Sequence, residues 1–126
     1  MWLWRIIVVA ALAMGVSQAS ITESSAGAVG RDGIVKVRSA YTLTETIDRM
    51  KADIKAKSIV LFDDIDQAKL AADAGITLNP SHLIVFGNPP LGTLFITADA
   101  EAGLDWPVRL LVYQDGSGKV WMAYTD

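Results

Sequence analysis

The side chains with the most pointed chemistry in this chain are a single histidine, a short acidic run and a glycine-proline corner. His82 is the only histidine, and a lone imidazole beside an apolar strand can serve as a general base or a metal ligand. Asp63, Asp64 and Asp66 put three carboxylates within four residues, a supply of hard oxygen ligands for a cation such as calcium. Gly87 and Gly92 bracket Asn88, Pro89 and Pro90, and glycines let backbone N–H groups approach an anion. Trp106, Tyr113, Trp121 and Tyr124 are aromatic side chains able to floor an apolar pocket or a contact between subunits.

Each of these has a plainer alternative. No G-x-S-x-G elbow accompanies His82, and serine and aspartate partners can always be picked from a list, so a structural role is favoured. The acidic run lacks the D-x-[DN]-x-[DN]-G spacing and distal glutamate of a calcium loop, and capping a helix explains Asp66 better. Pro89 and Pro90 remove two N–H donors from any anion cradle, which favours a rigid turn.

The elements that must hold these residues follow from periodicity. Gly33–Ser39 alternates and reads as a first strand. Thr42 with Glu45 three residues on forms a capping box, and Leu43, Ile47, Met50 and Ile54 then recur at helical spacing, so a helix packs that face on the core. Ser58–Phe62 is a second strand, ended at solvent by Asp63 and Asp64. Asp66 caps a short alanine-rich helix, and Gly75 suits its left-handed end. His82–Phe86 is a third strand, Gly87–Gly92 its turn, and Thr93–Thr97 a fourth strand. Ala98–Leu104 adds a helical turn. Val108–Tyr113 and Lys119–Tyr124 close the chain as a hairpin around Asp115-Gly116-Ser117-Gly118. Alternation along the last strand sets Tyr124 with Val120 and Met122, and Trp121 with Lys119 and Ala123. The pattern is α+β: a largely antiparallel sheet with two helices on one face.

Length and composition bound the rest. A chain of 126 residues makes one domain. Met1–Ala19 reads as a secretory signal, with Arg5 as the charged region, Ile6–Val16 as the apolar region and Ser17-Gln18-Ala19 as the cleavage site. Residues 20–32 read as a flexible leader, and the domain occupies 33–126. The expected location is periplasmic or secreted, with no membrane attachment after cleavage. Losing Arg5 takes the formal net charge from −3 to −4, which argues against nucleic acid as a partner. There is no cysteine, so neither a disulfide nor a thiolate site is available.

Read together, GIVKVRSAYTLTETIDRMK, DDIDQAKLAADAGITLNPSHLIVFGNPPLGT and LDWPVRLLVYQDGSGKVWMAY resemble the domain-of-unknown-function-302 family from Gly33 to Tyr124. The segment F-G-N-P-x-x-G-T, Phe86 to Thr93, carries the most specific part of the match. The resemblance implies an α+β fold similar to the TATA-binding-protein-like arrangement, seen in dimers, and no established reaction. Two positions depart from the family pattern. Gln67 follows Ile65-Asp66 where the family usually has histidine, and His82 stands where a glutamate commonly precedes the central strand.

The function expected from the sequence is an exported binding or interaction module, homodimeric, with a small ligand or an envelope protein as its further candidate partners and no assigned cofactor. Its ligand-binding or contact surface is expected at Asp66, Gly87, Asn88, Pro89 and Tyr124. The competing expectation is an envelope enzyme or redox accessory holding a metal or non-covalent cofactor at His82 and the nearby carboxylates.

Overall fold

The computed structural model of the chain describes residues 28–30 and 32–126. The secretory signal read over 1–19, and the leader as far as residue 27, lie outside the described residues.

Strand β1 (Ala28–Val29) precedes β2 (Ile34–Arg38), helix α1 (Leu43–Ala56), β3 (Val60–Asp66), α2 (Gln67–Asp73) and β4 (Ser81–Gly87). Helix α3 (Pro89–Ala98), a 3-10 helix (Ala100–Leu104), β5 (Val108–Gln114) and β6 (Val120–Thr125) complete the fold. The strands form one sheet in the order β1-β2-β6-β5-β4-β3, with every pair antiparallel. This is the α+β architecture expected from the sequence.

Because β2 and β3 lie toward opposite edges, α1 has to cross the sheet between them. Its amphipathic face makes that crossing favourable. Ile47 and Ile54 are buried against Ile84, Leu110, Val112 and Val120, with Leu43, Met50, Phe86 and Met122 packed around them. The capping box forms as the Thr42–Glu45 spacing requires, with both reciprocal bonds made. Buried Ser39 and Thr46 satisfy each other at 2.6 Å. Thr46 spends its own proton on the Thr42 carbonyl, so Ser39 is the donor of the pair.

Three boundaries differ from the sequence reading. Ala28 and Val29 pair with Lys36 and Val35, so the sheet takes in residues from the stretch read as leader. Asp63 and Asp64 do not end β3: the strand bulges between Leu61 and Asp63 and runs on to Asp66. A bulge and two charges suit an edge strand, since both discourage pairing with another chain.

The largest difference is α3, a helix where a turn and a strand over Thr93–Thr97 were expected. Asn88 is its N-cap and Pro89 and Pro90 are its first two residues. Proline is at home there because the N–H it lacks would have no partner inside the helix. The threonines suggested strand, yet Thr93 Oγ1 donates to the Pro89 carbonyl at 2.6 Å and Thr97 Oγ1 to the Leu94 carbonyl at 2.7 Å. Their hydroxyls are therefore satisfied within the helix.

Ile84 and Val112 are the largest side chains fully out of contact with solvent. Replacing Ile84 with alanine leaves a cavity beneath α1 and should cost about 2–5 kcal/mol, measurable by urea unfolding. A loss below 1 kcal/mol, roughly the range of a surface change, would contradict this placement of the core.

Candidate functional site

Two places gather the residues singled out above. The first is the corner after β4. Neither Gly87 nor Gly92 has a positive φ, so backbone freedom is not what calls for glycine here. The indole of Trp106 lies on both residues. A Cβ on Gly87 would stand 2.8 Å from Trp106 Nε1, and one on Gly92 would collide with the same ring. The F-G-N-P-x-x-G segment is thus a flat seat for a tryptophan from the far side of α3. Phe62, freed from the β3 ladder by the bulge, meets Trp106 edge-on at 5.6 Å.

This corner makes no anion cradle. Pro89 and Pro90 carry no N–H, the Leu91 N–H donates to Asn88 Oδ1 at 3.2 Å, and the Gly92 N–H donates to the Asn88 carbonyl at 2.8 Å. Every donor position of the first turn is therefore absent or used.

What α3 does present is apolar surface. It contains no charged residue, and Leu91, Leu94 and Phe95 are 54%, 64% and 60% exposed. Leu104 on the following 3-10 helix is 82% exposed. The sequence held the signal, an uncharged run behind an Asn-Pro-Pro start, but reading Thr93–Thr97 as a strand assigned half of these residues to a sheet.

The second place is a polar knot at the start of β4. His82 Nδ1 lies 2.7 Å from Asp64 Oδ1, and Lys51 Nζ of α1 reaches Asp64 Oδ2 at 2.6 Å. His82 Nε2 is 3.8 Å from Asp66 Oδ2, while Asp66 Oδ1 accepts the Lys69 N–H at 2.9 Å as the cap of α2. Beside it Ser81 donates to Gln67 Oε1 at 2.7 Å. Gln67 and His82, the two departures from the family pattern, therefore sit at one end of the β3–β4 pair. Burial disfavours the charged form of Asp64, but the hydrogen bonds from Lys51 and His82 outweigh it and hold the carboxyl below its ordinary value. The arrangement ties α1, β3 and β4 together. Among the described residues no group of three histidine or acidic side chains is disposed to hold a metal ion.

The five residues expected to share a surface do not meet. Asp66 pairs with His82 at one end of β4, and Gly87 pairs with Val60 at the other, about 16 Å away at strand rise. Tyr124 lies near the end of β6, opposite Val35. Gly87, Asn88 and Pro89 alone are contiguous, and they lead into α3. The aromatics of the hairpin divide as the alternation requires. Trp121 faces Tyr113 across the strands with Lys36 Nζ over both rings, at 5.0 and 5.6 Å from their centroids. Trp121 Nε1 donates to Asp115 at 2.9 Å. That bond, with those from Ser117 and Lys119, holds the Asp115 carboxyl well below the usual range.

A family model described as Domain of unknown function DUF302 matches residues 35–126. Two curated proteins, each named Fluoride-specific ion channel FluC 1, from Brucella suis biovar 1 and Brucella abortus biovar 1, are 42% identical over 94 residues, 75% of this chain. The chain spans only 37% and 35% of their lengths. A crystal structure of an uncharacterized conserved protein DUF302 from Bacillus stearothermophilus superposes with a TM-score of 0.68 at 18% identity, covering 74% of this chain and 73% of that one. At that identity the likeness speaks for the fold alone.

Gly92→Ala should push Trp106 off its seat, lowering the melting temperature and red-shifting tryptophan emission. A variant that melts and fluoresces like the parent would rule out the close contact. Asp64→Ala should cost about 1.5–3 kcal/mol at neutral pH, the range for hydrogen bonds to charged groups. Since the folded Asp64 carboxyl is held below its unfolded value of 3.8, its contribution is complete above that pH and fades as pH falls through the folded value. The gap between parent and variant in urea titrations should therefore close on acidification; a gap that widens instead would refute the knot.

Proposed function

The chain belongs to the DUF302 family, a family with no assigned reaction, and from that premise we propose that it is an exported, non-enzymatic interaction module that works as a homodimer. The observation that carries this reading is the bare apolar face of α3. Large contiguous exposed apolar surface on a folded domain commonly marks a contact with another molecule. Here the face continues directly from Gly87, Asn88 and Pro89, three of the residues expected at a contact surface, and the Trp106 seat holds it in place.

A second copy is the simplest cover, because a twofold contact lets one uncharged helix pack on its equivalent with no charge left unpaired. The matched stretch makes up about a third of relatives named as ion channels, which is in keeping with a module that operates beside a membrane partner. Among the described residues no helix is long and apolar enough to cross a membrane itself. Export rests on the three-part pattern of Met1–Ala19, and places the mature protein, starting at Ser20, in the periplasm or outside the cell.

Native mass spectrometry of the exported protein tests the reading in one measurement. The expected species is a dimer of chains beginning at Ser20. Leu94→Glu should raise the dimer Kd about a hundredfold, since each tenfold step corresponds to ~1.4 kcal/mol and a twofold contact carries the change twice. Circular dichroism should stay unchanged. A protein that is monomeric at every concentration would sink the proposal, and a dimer indifferent to Leu94→Glu would remove α3 from it.

A further inference from the structure

The sheet has a second face, away from the Ile84–Val112 core, and its chemistry differs from that of α3. Register places Ile65, Leu83, Leu111 and Ala123 in one row across β3, β4, β5 and β6. Two residues along each strand returns to the same face, which adds Arg109 on β5 and Thr125 on β6. Thr125 in turn pairs with Ile34 on β2. All of these but Ile65, together with Tyr124, line an open groove of about 270 Å³. Leu83, Leu111, Ala123 and Ile34 make it apolar, and Arg109, Thr125 and Tyr124 are the residues of its lining that carry polar groups.

Arg109 is the telling residue. Among the described residues the ion pairs are made by Lys51, Lys57, Lys69 and His82, and Arg109 has no carboxylate within pairing distance. A guanidinium presents a planar fork of donors that matches a carboxylate through two parallel hydrogen bonds. One such fork at the rim of an aliphatic floor is the minimal recognition set for an amphipathic anion. Its charge is limited as well. Asp63 lies on the same cross-strand row as Arg109, with Val85 between them, about 10 Å away at strand spacing. Lys36 continues the row opposite Ala123, but its Nζ lies over the Tyr113 and Trp121 rings, which leaves Arg109 as the cation that lines the groove. With an acidic neighbour it suits one negative charge and disfavours two.

We propose that this groove binds a small apolar monocarboxylate, with its hydrocarbon part on Leu83, Leu111 and Ala123 and its carboxylate on the Arg109 guanidinium beside the Thr125 hydroxyl. From Leu83 to Ala123 the floor spans two strand spacings, about 10 Å, enough for a benzene ring or a short alkyl chain. The site does not depend on α3, so a protein made monomeric by Leu94→Glu retains it. Loss of the dimer and loss of the ligand are separate results.

The test uses the full mature protein with benzoate and hexanoate as probes, followed through the methyl resonances of Leu83, Leu111 and Ala123 and by calorimetry. Both probes should bind at millimolar concentration or below and shift those methyls. Hexanol and inorganic phosphate should bind at least about tenfold more weakly, because each lacks one half of the recognition, and a hydrogen bond to a charged group alone supports a factor of that size. Arg109→Gln should weaken benzoate by a similar factor, whereas Arg49→Gln on α1 should leave it unchanged. Because Arg109 is exposed, its replacement leaves the fold intact, and circular dichroism verifies this. The proposal is overturned if benzoate moves none of the three methyls, if hexanol binds as well as hexanoate, if phosphate binds as well as benzoate, or if Arg109→Gln binds like the parent. Methyls shielded by a second copy of the chain and indifferent to every probe would overturn it equally.

Discussion

The fit of one indole against two residues without side chains fixes the geometry on which much of this molecule depends. Trp106 occupies the space that Cβ atoms on Gly87 and Gly92 would need. That contact joins the end of β4, the first turn of α3 and the approach to β5, and Phe62 closes it from β3. Packed interiors tolerate few voids and little overlap, so the seat allows one arrangement of four segments. The exposed side of α3 is a consequence. With Gly92 turned toward the indole, Leu91, Leu94 and Phe95 have to face elsewhere.

Along β4 the balance of forces changes from packing to charge. At its far end Asp64 takes a hydrogen bond from Lys51 and another from His82, where burial alone would have raised its affinity for a proton. The knot anchors a helix from one side of the sequence to two strands from another, without a core residue at that point. It also accounts for the sole histidine in structural terms. His82 Nδ1 is bonded to Asp64, and its Nε2 faces Asp66 at 3.8 Å, a carboxylate that already caps a helix.

The two faces of the sheet have divided their tasks. One face is spent on α1 and the Ile84–Val112 core. The other carries an aliphatic row flanked by Arg109, Lys36 and the Tyr113–Trp121 pair. The apolar helix and the basic-rimmed groove are chemically unlike each other, which is why a contact with a second copy belongs to the former and a small anion to the latter.

What the sequence determined by itself were the local features whose cause lies within a few residues. The Thr42–Glu45 box, the Leu43–Ile54 stripe, the Asp66 cap and the closing hairpin are each specified by neighbours along the chain, and the family motif follows from the same letters. The helix at Pro89–Ala98 was legible in principle, since asparagine followed by two prolines is a sound helix start, but the β-branched residues behind it pulled toward strand. Tertiary structure alone decided why Gly87 and Gly92 are glycine, because their constraint is a tryptophan 14 residues beyond Gly92. It alone decided that Asp64 meets Lys51 and His82, and that Arg109 shares a groove with Leu83 and Ala123. Those pairings arise from sheet register and from one helix crossing the three strands between β2 and β3, and no local pattern encodes a distance between residues so far apart in the chain.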